Sequence, residues 1–247
     1  MGTALDRRLR HRQGGIIICH DNCGYYLDDQ GSNVVKIHVL GGPGSGKTTL
    51  GKELSAKLHI PHYDFDLYGE KNGTSAEAWA EESFSIAQQP GWVVENIAII
   101  HIDPLLYAAD HIVLLDVPWP VAAWRMLYRH IMATLHGTNR YPGFKSLYAL
   151  LTSSRRYYLN INKRPAIAEL MHSYLEQHTS TLPPTRQEVI EQLETYSALI
   201  LPPTIEFVRS YLEKYGEKVI VVRTNADRAR LLAFLTTRYH QQPASSV

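Results

Sequence analysis

Eight consecutive residues, Gly41-Gly42-Pro43-Gly44-Ser45-Gly46-Lys47-Thr48, satisfy the pattern G-x-x-x-x-G-K-S/T. Each residue type there has a use toward phosphate. The glycines let the chain wrap closely around oxygens and turn backbone N–H groups inward. A helix starting at the end of the run offers unpaired N–H groups and the positive end of its dipole to an anion. Lys47 has the reach to neutralise terminal phosphates, the Thr48 hydroxyl suits Mg²⁺, and Thr49 continues the N-terminal turn. The stretch reads as a nucleoside triphosphate site, with ATP and Mg²⁺ as the expected cofactors.

A phosphate loop does not name a reaction, so the remaining candidates come from other strand ends. Acids follow three short apolar runs: Asp64 and Asp66, then Glu95, then Asp116. Asp66 is the expected residue for orienting an acceptor hydroxyl or taking its proton. Glu95 is expected to hold the metal together with Thr48. Asp116 is balanced between a ligand role and a helix cap. Arg125 and Arg129, four apart, would project from one helix face and could clamp the triphosphate or the phosphoryl group in transit. Arg140, Arg155 and Arg156 follow as weaker candidates, and Arg223 falls where the nucleotide base would lie.

These residues need a scaffold, and the hydropathy pattern specifies a parallel α/β one. Val34–Leu40 reads as a buried strand and Thr49–Leu58 as a helix with Leu50, Leu54 and Leu58 on one face. Pro61–Asp66, Trp92–Glu95, His111–Asp116 and Val219–Val222 read as further strands. Thr74 with Glu77 predicts a capping box opening one helix, and Thr185 with Glu188 another. Val121–Leu135 predicts a helix that packs through Trp124, Leu127, Tyr128, Ile131 and Leu135. Residues 136–216 contain no convincing strand. They predict helices near 145–152, 166–178, 185–198 and 203–215, with prolines at 165, 183–184 and 202–203 near their starts. Asn225 is expected to cap a last helix ending near Tyr239. The expected division is an arm, 1–33, and one domain, 34–247, enlarged by a helical lid or insertion at 136–216.

The run from Ile37 to Asp66 (IHVLGGPGSGKTTLGKELSAKLHIPHYDFD) resembles the opening of the adenylate-kinase-like P-loop kinases. Within that family it is most similar to bacterial DNA topology modulation or adenylate-kinase-related proteins. The family's second-strand acid falls on Asp66. Its third strand falls on Trp92-Val93-Val94-Glu95-Asn96 and its fourth on Ala109–Asp116. The arginines of its next helix fall on Arg125, after Trp124, and Arg129. The resemblance covers about 35–160 and 217–235. It implies a P-loop three-layer sandwich with a five-stranded parallel sheet in the order 2-3-1-4-5, a mobile arginine-bearing lid, and phosphoryl transfer from ATP. Asn96 stands where those relatives often have glycine, and both the arm and the 160–216 segment are additions.

Composition excludes several other classes. With 247 residues, 45% hydrophobic, the chain is long enough for a large core and is not a disordered tail protein. Cys19 and Cys23, even with His20 beside them, are too few for a disulfide scaffold or a four-ligand zinc site. The Arg7-Arg8 pair precedes too short an apolar run to be an export signal, and no run reaches membrane-span length. A cytoplasmic protein without a membrane partner is the expectation. A net charge of +1 gives no whole-chain argument for nucleic acid, although the basic start is open to backbone contacts. The leading expectation is an Mg-ATP-dependent kinase acting on a nucleotide or another small molecule. The alternative is a P-loop ATPase or regulator acting on nucleic acid or a protein partner. A GTPase switch fits poorly, because Thr224-Asn225-Ala226-Asp227 lacks the lysine of the guanine-reading motif.

Overall fold

The computed structural model describes residues 35–66, 75–139, 143–180 and 182–239, and the backbone of 17–20 and 23–26. The expectations for Arg7, Arg8, Arg140 and the Cys19–His20–Cys23 side chains therefore lie outside what is described. In the arm, β1 (Ile17–His20) and β2 (Cys23–Tyr26) pair antiparallel.

Five parallel strands follow: β3 (Lys36–Gly41), β4 (His62–Asp64), β5 (Trp92–Asn96), β6 (His111–Leu115) and β7 (Val219–Val222). Their spatial order is β4-β5-β3-β6-β7, which is 2-3-1-4-5 counted from β3. This is the P-loop kinase-like sandwich that the sequence predicts. Val35, Ile37 and Val39 are fully buried on one face against Leu50 and Leu54 of α1 (Lys47–Leu58) and Leu231 and Leu235 of α9 (Asn225–Tyr239). Leu40, Val94, Ile112 and Leu114 point to the other face, with residues of α2 (Ala76–Ala87), α3 (Asp103–Ala108) and the later helices. Both faces are covered, so the strands read as continuous apolar runs.

One central position breaks that rule. His38 is fully buried on β3, and its Nε2 lies 3.0 Å from Asn96 Oδ1. Asn96 Nδ2 donates to Ala98 O, which turns Oδ1 toward the ring and places the proton on Nε2. Asn96 thus serves as the hydrogen-bond partner of a core histidine. Burial holds His38 down to about 4 and His101, stacked between Phe65 and Trp79, down to about 3. Both rings are neutral in the folded protein at pH 5, whereas the unfolded chain protonates them below about 6.5. Unfolding then takes up protons, so stability is present above that value and is lost as pH falls toward 4. Between pH 7 and 5 the expected loss is roughly 2 kcal/mol per ring. Glu95, raised to about 7, works in the opposite direction. The check is therefore the comparison of urea midpoints at the two pH values between wild type and His38→Gln. The variant should lose less stability on acidification, and an equal loss contradicts the assignment.

Helix α4 (Trp119–Leu135) is rotated relative to the sequence expectation. Ala122 and Met126 are its buried positions, while Trp124, Tyr128, Ile131 and Leu135 are exposed and Leu127 is half-buried. The cause is close approach. A Cβ on Gly44 would stand 2.5 Å from Ala122 O and 3.0 Å from Met126 Cγ. Only the Ala122–Met126 face, which lets the helix backbone come close at Ala122, fits against the loop, and apolar periodicity alone cannot show this.

Two caps also differ. Ser75, not Thr74, caps α2, its Oγ accepting from Ala78 N–H; Thr74 lies outside the described residues. Thr224, not Asn225, caps α9: its Oγ1 accepts from Asp227 N–H, and Asp227 accepts from Thr224 N–H. The Thr185–Glu188 capping box is present as expected.

The insertion is helical throughout its described residues: α5 (Phe144–Tyr158), α6 (Pro165–Gln177), α7 (Arg186–Thr195), a short turn at Ser197–Leu199, α8 (Ile205–Leu212) and a 3₁₀ segment at Glu213–Lys218. A polar cluster fastens it to α3. Buried Asp103 accepts from the hydroxyls of Tyr211 and Tyr215 and pairs with Lys214 Nζ at 3.4 Å. Lys214 also sits 5.1–5.5 Å from the ring centres of Tyr107, Tyr211 and Tyr215.

Candidate functional site

The loop after β3 has the shape its sequence demands. Gly44 and Gly46 have φ of +76° and +95°, a region other L-residues rarely adopt, and Gly46 immediately precedes α1. Gly42 has no room for a side chain, because a Cβ there would lie 2.5 Å from the Tyr157 ring. The Tyr158 hydroxyl donates to Pro43 O at 3.0 Å, so the end of α5 lies on the loop. Arg125 Nη1 donates to Ser45 O at 2.7 Å, which brings the predicted helix-face arginine to the loop itself.

A cavity of about 630 Å³ opens beside the loop. Gly42, Gly44, Ser45, Gly46, Lys47, Thr48 and Thr49 line it from one side, and Arg125, Arg129 and Arg223 from the others. Val117, Pro118 and Val121 add an apolar wall suited to a base. Nearly all the residues expected to bind nucleotide thus meet in one space.

The acids gather on the other side of Lys47. Lys47 Nζ lies 2.9 Å from Asp66 Oδ2, and Asp66 Oδ1 accepts from the Ile97 N–H at 2.8 Å. One oxygen each from Asp64, Asp66 and Glu95 fall within 4.8 Å of one another, the one such ligand group among the described residues. Glu95 is completely buried, and its two oxygens and Asp64 Oδ1 have no hydrogen-bond partner. Burial pushes the Glu95 carboxyl up to about 7, against the pull of the neighbouring Thr48 hydroxyl and Lys47 ammonium. Orphaned buried carboxylate oxygens of this kind are the donor set that a hard divalent cation takes, so the residues fit Mg²⁺. Asp64 joins this group, although nothing in the sequence pattern singles it out over Asp66. His62, with Nε2 3.8 Å from Glu95 Oε1, also stands here and went unnoticed in the sequence.

Asp116 is neither a ligand nor a helix cap. It is buried, and both its oxygens accept from Arg209 Nη2 at 2.9 Å while Oδ2 accepts from Arg223 Nε at 3.1 Å. Arg223 therefore borders the nucleotide cavity but is held from behind by an acid. Arg209 belongs to α8, inside a segment whose sequence has no recognisable motif. The pairing ties the insertion to the nucleotide side of the sheet.

Gly44 supplies a direct test of the loop. Gly44→Ala adds a methyl where φ is positive and where Ala122 O leaves no space. We expect affinity for a fluorescent ATP analogue to fall about tenfold or more, corresponding to about 1.4 kcal/mol or more. Unchanged affinity would count against the loop as the phosphate site.

No family model matches the chain. A shikimate kinase from Bacteroides fragilis is 50% identical over 38 residues, which cover 15% of this chain and 21% of that protein. The match thus spans about a fifth of the length of that curated relative. Among solved structures, shikimate kinase from Acinetobacter baumannii in complex with shikimate aligns over 85% of this chain and 95% of its own, at 12% identity and a TM-score of 0.41. Shikimate kinase from Bacteroides thetaiotaomicron aligns over 83% and 98%, at 15% identity and a TM-score of 0.37. The fold itself is established by the strand order and the phosphate loop described above.

Proposed function

We propose that this protein is an Mg-ATP-dependent kinase that transfers the γ-phosphoryl group to a hydroxyl of a small-molecule acceptor. The observation that carries this reading is the 2.9 Å pair between Lys47 and Asp66, with buried Glu95 alongside. It sets a lysine of the loop that borders the nucleotide cavity next to a carboxylate able to act on an acceptor. A carboxylate in that position can take a proton from an acceptor hydroxyl, and the acceptor dependence of ADP release separates this from hydrolysis by water.

In the transfer, a bond forms between the acceptor oxygen and Pγ as the bond from Pγ to the β-bridging oxygen breaks, its electrons leaving with ADP. Asp66 takes the acceptor proton, and the Ile97 N–H fixes its orientation. Lys47, Arg125 and Arg129 face the transferred group's developing charge. Thr48, Glu95 and Asp64 would hold Mg²⁺, which would supply charge neutralisation on the phosphate oxygens. The α4–α5 hairpin, already touching the loop through Arg125 and Tyr158, serves as the lid that excludes water.

A shikimate kinase shares local sequence with this chain, so shikimate is the first acceptor to try, followed by sugars, nucleosides and nucleoside monophosphates. The test is to incubate the protein with Mg-ATP and each candidate and follow ADP release. Acceptor-dependent ADP with a phosphorylated product supports the reading. ADP release driven by RNA or DNA would replace it with the regulator alternative.

A further inference from the structure

The exposed face of α4 is not accounted for by the proposed catalysis. Starting from Val121, which also borders the nucleotide cavity, Trp124, Tyr128, Ile131 and Leu135 continue at intervals of three and four outside that cavity, the row being 40–74% exposed. They lie opposite the buried Ala122 and Met126, and at 1.5 Å per residue the row is about 21 Å long. Together they expose on the order of 500 Å² of surface, the upper range for a monomer and the size that marks an interaction surface. Phe144, 90% exposed, and Tyr148 extend apolar exposure to the start of α5.

The charge around this face is one-sided. Between Asp116 and Glu169 the sequence has eight of the 25 lysines and arginines and none of the 24 acids. Arg129, Lys145, Arg155, Arg156, Lys163 and Arg164 are exposed there. A second copy would bring the same cations against them with no acid to pair. Nucleic acid would accept the cations and stack on Trp124 or Tyr128, but it has no counterpart for Val121, Ile131 and Leu135 in helical register. An amphipathic helix with aromatic and aliphatic residues on one side and surrounding cations matches a bilayer with anionic headgroups.

We propose that α4, with the basic α5 beside it, is a docking face for an anionic lipid surface, on which the helix lies in the plane of the interface. No described helix is long and apolar enough to cross a membrane, and the sequence expectation of no membrane partner rested on the absence of a span. Lying on a surface requires only the moment that α4 carries. The attachment is reversible, and it weakens with salt because part of it is electrostatic.

The test is sedimentation of the full chain with phosphatidylcholine vesicles, with and without about 30 mol % phosphatidylglycerol. Binding to the anionic vesicles is expected to be about tenfold stronger than to the neutral ones. Trp124→Glu combined with Ile131→Glu should reduce it about tenfold while thermal unfolding and ATP-analogue binding stay unchanged, since both side chains are exposed and outside the nucleotide cavity. Absence of vesicle binding, or equal binding by the double variant, overturns the proposal. So does capture of an RNA oligonucleotide in preference to vesicles, or a dimer by light scattering that the double variant dissolves.

Discussion

Lys47→Ala is expected to lower kcat/KM for ATP-dependent phosphorylation at least 10³-fold, a loss of about 4 kcal/mol of transition-state stabilisation. The ammonium is the cation of the loop placed at the boundary between the nucleotide cavity and the acid cluster, so no neighbour can replace it. Arg125 donates to Ser45 O, and Arg223 is held by Asp116. Lys47→Arg tests geometry against charge: a guanidinium cannot keep the compact contact with Asp66, and little activity should return. Initial rates of ADP release with the acceptor identified by the panel check both variants. Normal turnover by Lys47→Ala would show that the loop does not perform the chemistry, whatever binds there.

The second large effect concerns stability. Asp103→Leu removes the acceptor shared by Tyr211 and Tyr215 and leaves Lys214 with aromatic rings but no counter-charge. Breaking one side of a buried ion pair costs about 3–5 kcal/mol. At this chain length that corresponds to a drop in Tm of about 10 °C. Combining Asp103→Leu with Lys214→Met removes the stranded charge and should recover more than half of the loss. Thermal unfolding of the three variants measures it, and additive losses in the double variant would mean that the pair is not coupled. Because Arg209 of the neighbouring α8 holds Asp116, the loss at Asp103 should also loosen the nucleotide side, seen as weaker ATP-analogue binding.

The sequence made the local features legible and the long-range ones illegible. Gly41–Thr48 and the Thr185–Glu188 cap are short-range patterns, each with a single physical solution, whereas the strand order was implied by the family resemblance. Asp66, Glu95, Arg125 and Arg129 were found because the sheet topology dictates where strand ends and the following helix must lie. Asp116 was ambiguous because its partners, Arg209 and Arg223, lie about a hundred residues away. Asp103, Tyr211 and Lys214 carry no motif and become a cluster only when the insertion folds back. On α4 the periodicity identified the apolar side correctly but implied that it packs. The backbone of the phosphate loop, too close for anything beyond Ala122 and Met126, decided otherwise.

The contact between Lys47 and Asp66 has a kinetic corollary. Each of these groups satisfies the other, so the acid engages an incoming hydroxyl only as the ammonium turns to another partner. On the proposed reading a triphosphate is the agent that draws it. Substrate addition then follows a compulsory order, nucleotide first, and an acceptor analogue offered alone meets a closed partnership rather than a waiting base. Idle water meets the same barrier.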